Sequence, residues 1–105
     1  MATINTSVNP KSFAPFFTDD NDQVFSRKVY LFNDHFTPME FVTGLLERIF
    51  KMDVETSERT MMKAHFDGKA LCGEFPKDIA ETMAYRAMQV ARNHDHPLMF
   101  ITANN

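Results

Sequence analysis

Asn33-Asp34-His35-Phe36-Thr37-Pro38-Met39-Glu40-Phe41-Val42 sets a polar turn between a strand and a strongly marked helix start. Thr37 reads as the N-cap, Pro38 as the first helical residue and Glu40 as the third residue of a capping box. Phe36 and Phe41 stand where a hydrophobic staple would close, and Val42, Leu45, Leu46 and Ile49 repeat at the spacing of one buried helix face. The sequence thus predicts a rigid helix start from about Pro38 to Lys51, preceded by a short strand, Lys28 to Phe32, rich in Val, Tyr and Phe.

Outward from this turn the pattern continues. Asp53 is placed to cap a second helix that runs to about His65 and stops at Asp67 and Gly68, a pair that ends helices. Lys69 to Phe75 then reads as a strand, and Pro76 opens a third helix with a core stripe at Ile79, Met83, Ala87 and Val90. Asp78 and Glu81 suit the positive end of that helix dipole. His94 to Pro97 ends it, and Leu98 to Thr102 forms a last strand. The order β-α-α-β-α-β predicts an α+β fold, a three-stranded antiparallel sheet packed against three helices.

Composition bounds the possibilities. At 105 residues and 44% hydrophobic content, the chain suits one compact domain and is short for two. A net charge of -3 without clustered Lys and Arg argues against a nucleic-acid surface. The lone Cys72 leaves no partner for an internal disulfide and fits a reducing compartment. No apolar run is long enough for a signal peptide or membrane span, so a cytoplasmic location is expected. Residues 1–27 are rich in Asn, Ser, Thr, Pro and Asp and read as a flexible arm ahead of a core domain at 28–105. Phe13, Phe16, Phe17 and Phe25 beside Asp19, Asp20 and Asp22 suit either a docking motif or a tail packed on the domain.

Met61 and His65 lie four apart and share a helix face, which places an imidazole beside a flexible thioether. Spacing alone favours a buried core histidine. The quoted decapeptide, however, resembles the N-D-D-Y-T-P-M-E-F-V signature of the Clp protease adaptor family, ClpS. Met61 to Gly73 is similar to the family's M-L-x-V-H-x-x-G-K-A-x-C-G block, Ala80-Glu81-Thr82 to its A-E-T, and His96-Pro97-Leu98 to its H-P-L. The resemblance covers roughly residues 28–102.

The resemblance implies a non-enzymatic adaptor, without a cofactor and monomeric, that binds a free N-terminal residue and delivers its bearer to a Clp AAA+ unfoldase of the ClpA or ClpC type. It assigns Asn33 and His65, with Asp34 beside them, to the substrate's α-ammonium. Those residue types make chemical sense, because an ammonium has three donors and needs acceptors. It assigns Thr37, Met39, Val42, Leu45, Met61, Ala64 and Leu98 to an apolar pocket for a first residue such as Leu, Phe, Tyr or Trp. Thioethers at Met39 and Met61 adapt to long or flat side chains and crowd those branched at Cβ, so Ile and Val are expected to be rejected. The arm and a surface near Asp78 and Met83 are assigned to the unfoldase.

Four positions depart from the family pattern: His35 for Asp, Phe36 for Tyr, Ala64 for Val, and Met83 where Lys is common. Among competing readings, His94, Asp95, His96 and Cys72 are poorly spaced for zinc. A cysteine hydrolase built on Cys72 lacks an evident base, and the expected interior strand would leave the thiol inert. An interaction domain of the same fold without peptide binding is the remaining alternative. No G-x-x-x-x-G-K-[ST] loop occurs, so ATP hydrolysis is expected of the partner.

Overall fold

The computed structural model describes residues 26–104. Elements follow in the order β1 (Ser26–Phe32), α1 (Met39–Ile49), α2 (Val54–Asp67), β2 (Lys69–Pro76), α3 (Lys77–Asn93) and β3 (Met99–Ala103). This is the expected α+β order, with an antiparallel sheet arranged β2-β1-β3. β1 starts two residues before the expected Lys28. The rest of the proposed arm, including its four phenylalanines and three aspartates, lies outside the described residues.

β1 is central because its alternation fits a half-buried strand with a neighbour on each edge. Val29 and Leu31 are essentially fully buried on the helix side, while Tyr30 and Phe32 take the opposite face. Against Val29 and Leu31 pack Leu45 and Leu46 of α1 and Phe100 of β3. Each such apolar side chain stabilises the fold by roughly 1.5–3 kcal/mol on burial.

Of the expected α3 stripe only Ala87 is fully buried. The buried face of the helix is Ala80, Ala84, Ala87 and Ala91, while Ile79 is half exposed and Met83 and Val90 flank the core. The larger residues suggested the face, but small residues spaced four, three and four apart let the helix backbone lie close to the sheet.

The start of α1 also differs. Thr37 is not a side-chain cap: its hydroxyl donates to the Asp34 carboxylate. The N-cap position falls to Pro38, whose backbone is extended and whose carbonyl accepts from the N–H groups of Phe41 at 3.1 Å and Val42 at 3.2 Å. The capping box is therefore absent. So is the staple, since Phe36 is 83% exposed. Phe41 instead packs its ring against His96, centroids 4.5 Å apart, and His94 at 5.2 Å. α1 ends at Ile49, short of Lys51, which adopts a positive φ of 60°.

α2 behaves as its sequence suggests. Asp53 accepts from the Thr56 N–H at 2.8 Å, and the Thr56 side chain together with that N–H holds its carboxyl below the ordinary carboxylate range. At the other end, Gly68 adopts φ 93°, a left-handed conformation glycine enters without steric cost, and its N–H donates to Ala64 O. Buried Ser57 donates to the Val54 carbonyl at 2.8 Å.

Cys72 lies on the edge strand β2, not on an interior strand as expected. Val29 pairs with Gly73 but Tyr30 with Leu71, so Cys72 is the extra residue of a β-bulge. Gly73, at φ 155°, is required there, because a Cβ would stand 2.7 Å from Cζ of Phe75. The Phe75 ring folds back toward Phe50, which stacks on Phe100 with centroids 5.5 Å apart. Half-buried against the core, the Cys72 thiol is pushed up to about 12 by burial, with a hydrogen bond from the Leu31 backbone acting in the opposite direction.

A raised thiol pKa sets a direction. Below about pH 9 the thiol keeps its proton folded and unfolded alike; between about 9 and 12 the unfolded chain alone loses it, which draws the equilibrium toward unfolding. Chemical denaturation should therefore show the wild type losing more stability than Cys72→Ala between pH 8 and pH 10. At pH 8 a thiol reagent should label the native protein far more slowly than the denatured one.

Candidate functional site

A depression opens where the loop after β1 meets the start of α1 and the C-terminal half of α2. Its position is fixed by backbone. The Asn33 N–H donates to Gly68 O at 2.9 Å, which ties the loop to the end of α2, three residues beyond His65. The left-handed turn at Gly68 thus holds Asn33 and His65 on one rim.

Eleven of the twelve lining residues come from three short segments: Leu31 to Asp34 with His35, Thr37 with Met39 and Val42, and Met61 with Ala64 and His65. Leu98, just before β3, supplies the twelfth. Asn33, Asp34 and His65 therefore come together as expected, and so do Thr37, Met39, Val42, Met61, Ala64 and Leu98. Leu45 does not join them. It is fully buried one turn further along α1 than Val42, in the core.

The floor is apolar and the rim polar. Val42, Ala64 and Leu98 are buried, Met61 is half-buried, and Met39 stands 46% exposed at the mouth. The volume is about 100 Å³. A cavity on the order of 150 Å³ takes up benzene, so the hollow, partly open to solvent, suits one apolar side chain.

On the rim, Asp34 spends one carboxylate oxygen on the Thr37 hydroxyl, and among the described residues its other oxygen has no hydrogen-bond donor. His65 is exposed rather than buried in the core, its ring set edge-on to Phe66 at 5.1 Å. An amide, a carboxylate and an imidazole thus converge on the mouth of an apolar hollow. Such a set can accept from a primary ammonium while the hollow takes the neighbouring side chain.

Sequence reasoning passed over Leu31 and Phe32 as lining residues and treated His35 as a departure alone. The strand alternation held the missing signal, since the last two residues of β1 face opposite sides and both abut the turn. Asp78 and Met83 lie on α3 and do not line the depression: Asp78 is exposed in the first turn, and Met83 is half-buried against the core.

His94, Asp95 and His96 serve the end of α3. His94 Nδ1 lies 2.9 Å from Val90 O, the His96 N–H donates to Ala91 O at 2.8 Å, and Asp95 takes a positive φ of 62°. Among the described residues no three His, Cys, Asp or Glu side chains are grouped as a metal site needs. No helix of the described residues is long and apolar enough to cross a membrane.

Comparison with known proteins places this geometry. The family profile described as "ATP-dependent Clp protease adaptor protein ClpS" matches residues 25–101. The ATP-dependent Clp protease adapter protein ClpS of Aromatoleum aromaticum is 45% identical over 78 residues, 74% of this chain and 76% of that protein. Its namesake in Vibrio cholerae is 45% identical over 71 residues, 68% of this chain and 67% of that protein. Among solved structures, Agrobacterium tumefaciens ClpS2 bound to L-phenylalaninamide aligns with a TM-score of 0.74 at 42% identity, covering 76% of this chain and 96% of the other. The chain belongs to the ClpS family of ATP-dependent Clp protease adaptors.

Proposed function

We propose that this chain captures proteins by a free N-terminal residue with a bulky hydrophobic side chain and delivers them to a Clp AAA+ unfoldase. The observation that supports this best is the juxtaposition of Asn33, Asp34 and His65 with the hollow lined by Thr37, Met39, Val42, Met61, Ala64 and Leu98. The phenylalaninamide bound by the Agrobacterium relative combines the same two features, a free ammonium and one apolar side chain.

The α-ammonium donates to Asn33 Oδ1, to the Asp34 carboxylate and to an imidazole nitrogen of His65. Each charge-assisted bond contributes roughly 1.5–3 kcal/mol. The first side chain enters the hollow, and burying a Leu or Phe there adds roughly 1.5–3 kcal/mol. Before the cost of association these contacts add to roughly 6–12 kcal/mol, and a cost of roughly 4 kcal/mol or more leaves a micromolar-scale complex, about -8 kcal/mol, as the tightest they support. That range suits a carrier that must let go of its cargo. No bond is broken in this reading, so the chain acts as a binding module, and ATP hydrolysis belongs to the unfoldase. The N-terminal arm and the α3 surface near Asp78 are the proposed contacts with that partner.

Fluorescence anisotropy with peptides that differ in their first residue tests the capture step. Peptides beginning with Leu, Phe, Tyr or Trp should bind at micromolar concentrations, and those beginning with Val or Ile far more weakly. Acetylating the first residue should abolish binding; equal affinity of acetylated and free forms would refute the reading. Replacing His65 with Ala should weaken binding about 10- to 100-fold, the loss of one charge-assisted bond, with the fold unchanged by circular dichroism. For delivery, a reporter with N-terminal Phe should be degraded faster by a Clp unfoldase and its protease when this chain is added. An unchanged rate would leave capture without delivery.

A further inference from the structure

All three helices pack on one face of the sheet, the face of Val29, Leu31 and Phe100. On the other face the strand pairing sets residues in rows, because residues directly opposite share a face. Leu71, Tyr30 and Ile101 form one row, and Lys69, Phe32 and Met99 the next. Phe32, Leu71, Met99 and Ile101 are between 37 and 46% exposed, an apolar patch of the kind that marks an interaction surface. Two cations stand within it. Lys69 Nζ lies 4.9 Å from the centroid of the Tyr30 ring, and Lys28 precedes Tyr30 on the same face of β1. Among the described residues neither makes an ion pair. Glu74, opposite Lys28, accepts from the Ser26 hydroxyl at 2.9 Å.

We propose that this open sheet face is the docking surface of the chain's own N-terminal arm, with Phe16 and Phe17 over its apolar rows and Asp19, Asp20 and Asp22 beside Lys28 and Lys69. The point of attachment favours this occupant. The arm joins the domain at Ser26, the first residue of the central strand, and so starts from the middle of the sheet's end rather than from a border. Phe16 and Phe17 precede Ser26 by ten and nine residues, a reach of roughly 30 Å at about 3.3 Å per residue. Phe32, at the far end of β1, is six residues from Ser26, roughly 20 Å at the same rise. An arm doubling back over β1 therefore brings its two phenylalanines over Tyr30 and Phe32 with chain to spare. The aspartates, four to seven residues before Ser26, then pass over Lys28 and reach Lys69. Charge separates this occupant from a second copy. Two such faces would set Lys28 and Lys69 against their like, whereas the arm carries three aspartates and, as its one basic side chain, Lys11.

The full chain carrying Ala14→Cys and Cys72→Ala, with a nitroxide on the new thiol, tests this by NMR. The methyl signals of Leu71, Met99 and Ile101 should lose most of their intensity against the reduced label, while those of Leu45 and Leu46, behind the sheet, keep most of theirs. Adding Phe16→Ser and Phe17→Ser should restore the open-face signals. Adding Asp19→Asn, Asp20→Asn and Asp22→Asn instead should restore them in part, as should about 500 mM salt, since exposed charge pairs are weak and screened. Both sets of substitutions precede β1, so neither alters the packed core. Uniform attenuation over the whole domain, attenuation centred on the helices, or open-face attenuation that survives either set overturns the inference. A mixture of nitroxide-bearing, NMR-silent chain with isotope-enriched chain that lacks the nitroxide should leave the open-face signals intact. Attenuation in that mixture assigns the contact to the arm of a second copy and overturns the inference as well.

Discussion

One backbone hydrogen bond organises the molecule. The Asn33 N–H reaches Gly68 O, and through it the end of β1 and the end of α2 become a single corner. Neither segment achieves this alone. The loop after β1 is held by no helix cap of its own, and α2 stops where it does because Gly68 enters the left-handed region and returns its N–H to Ala64. Move Gly68 out of that conformation and Asn33 loses its anchor, His65 its neighbour, and the depression one of its walls.

The hydrogen bond between Thr37 and Asp34 works within that corner. A threonine that capped α1 would turn its hydroxyl toward the helix N–H groups and leave Asp34 free to swing. Here the hydroxyl orients the carboxylate instead, and Pro38 starts the helix without a side-chain cap. Local helix stability is traded for a fixed negative charge at the mouth of the hollow.

Much of this was legible in the sequence, and the failures share a cause. Gly68 after Asp67, Asp53 before α2 and the alternation through Val29 and Leu31 each act within a few residues, so the string of letters shows them. Thr37 could not be read in that way, because the choice between the α1 N–H groups and Asp34 depends on where the loop has already been tied. The α3 face was turned slightly from the expected one, Ala87 apart, because hydrophobic size pointed to Ile79 and Met83, while the approach of helix to sheet demanded the alanines. Leu45 was expected on the pocket wall, yet it lies in the core: the rotation of α1 against the sheet decides which apolar residue reaches the hollow. The polar residues of the rim, by contrast, were assigned through resemblance to a family, and the structure brings Asn33, Asp34 and His65 together.

The bulge at Cys72 and Gly73 has a further effect on behaviour in a crowded solution. β2 presents one unpaired edge, the kind of surface on which another extended chain can add itself as a further strand. An extra residue bends and overtwists that border. The border therefore makes a poor template for strand addition, which protects the molecule against aggregation.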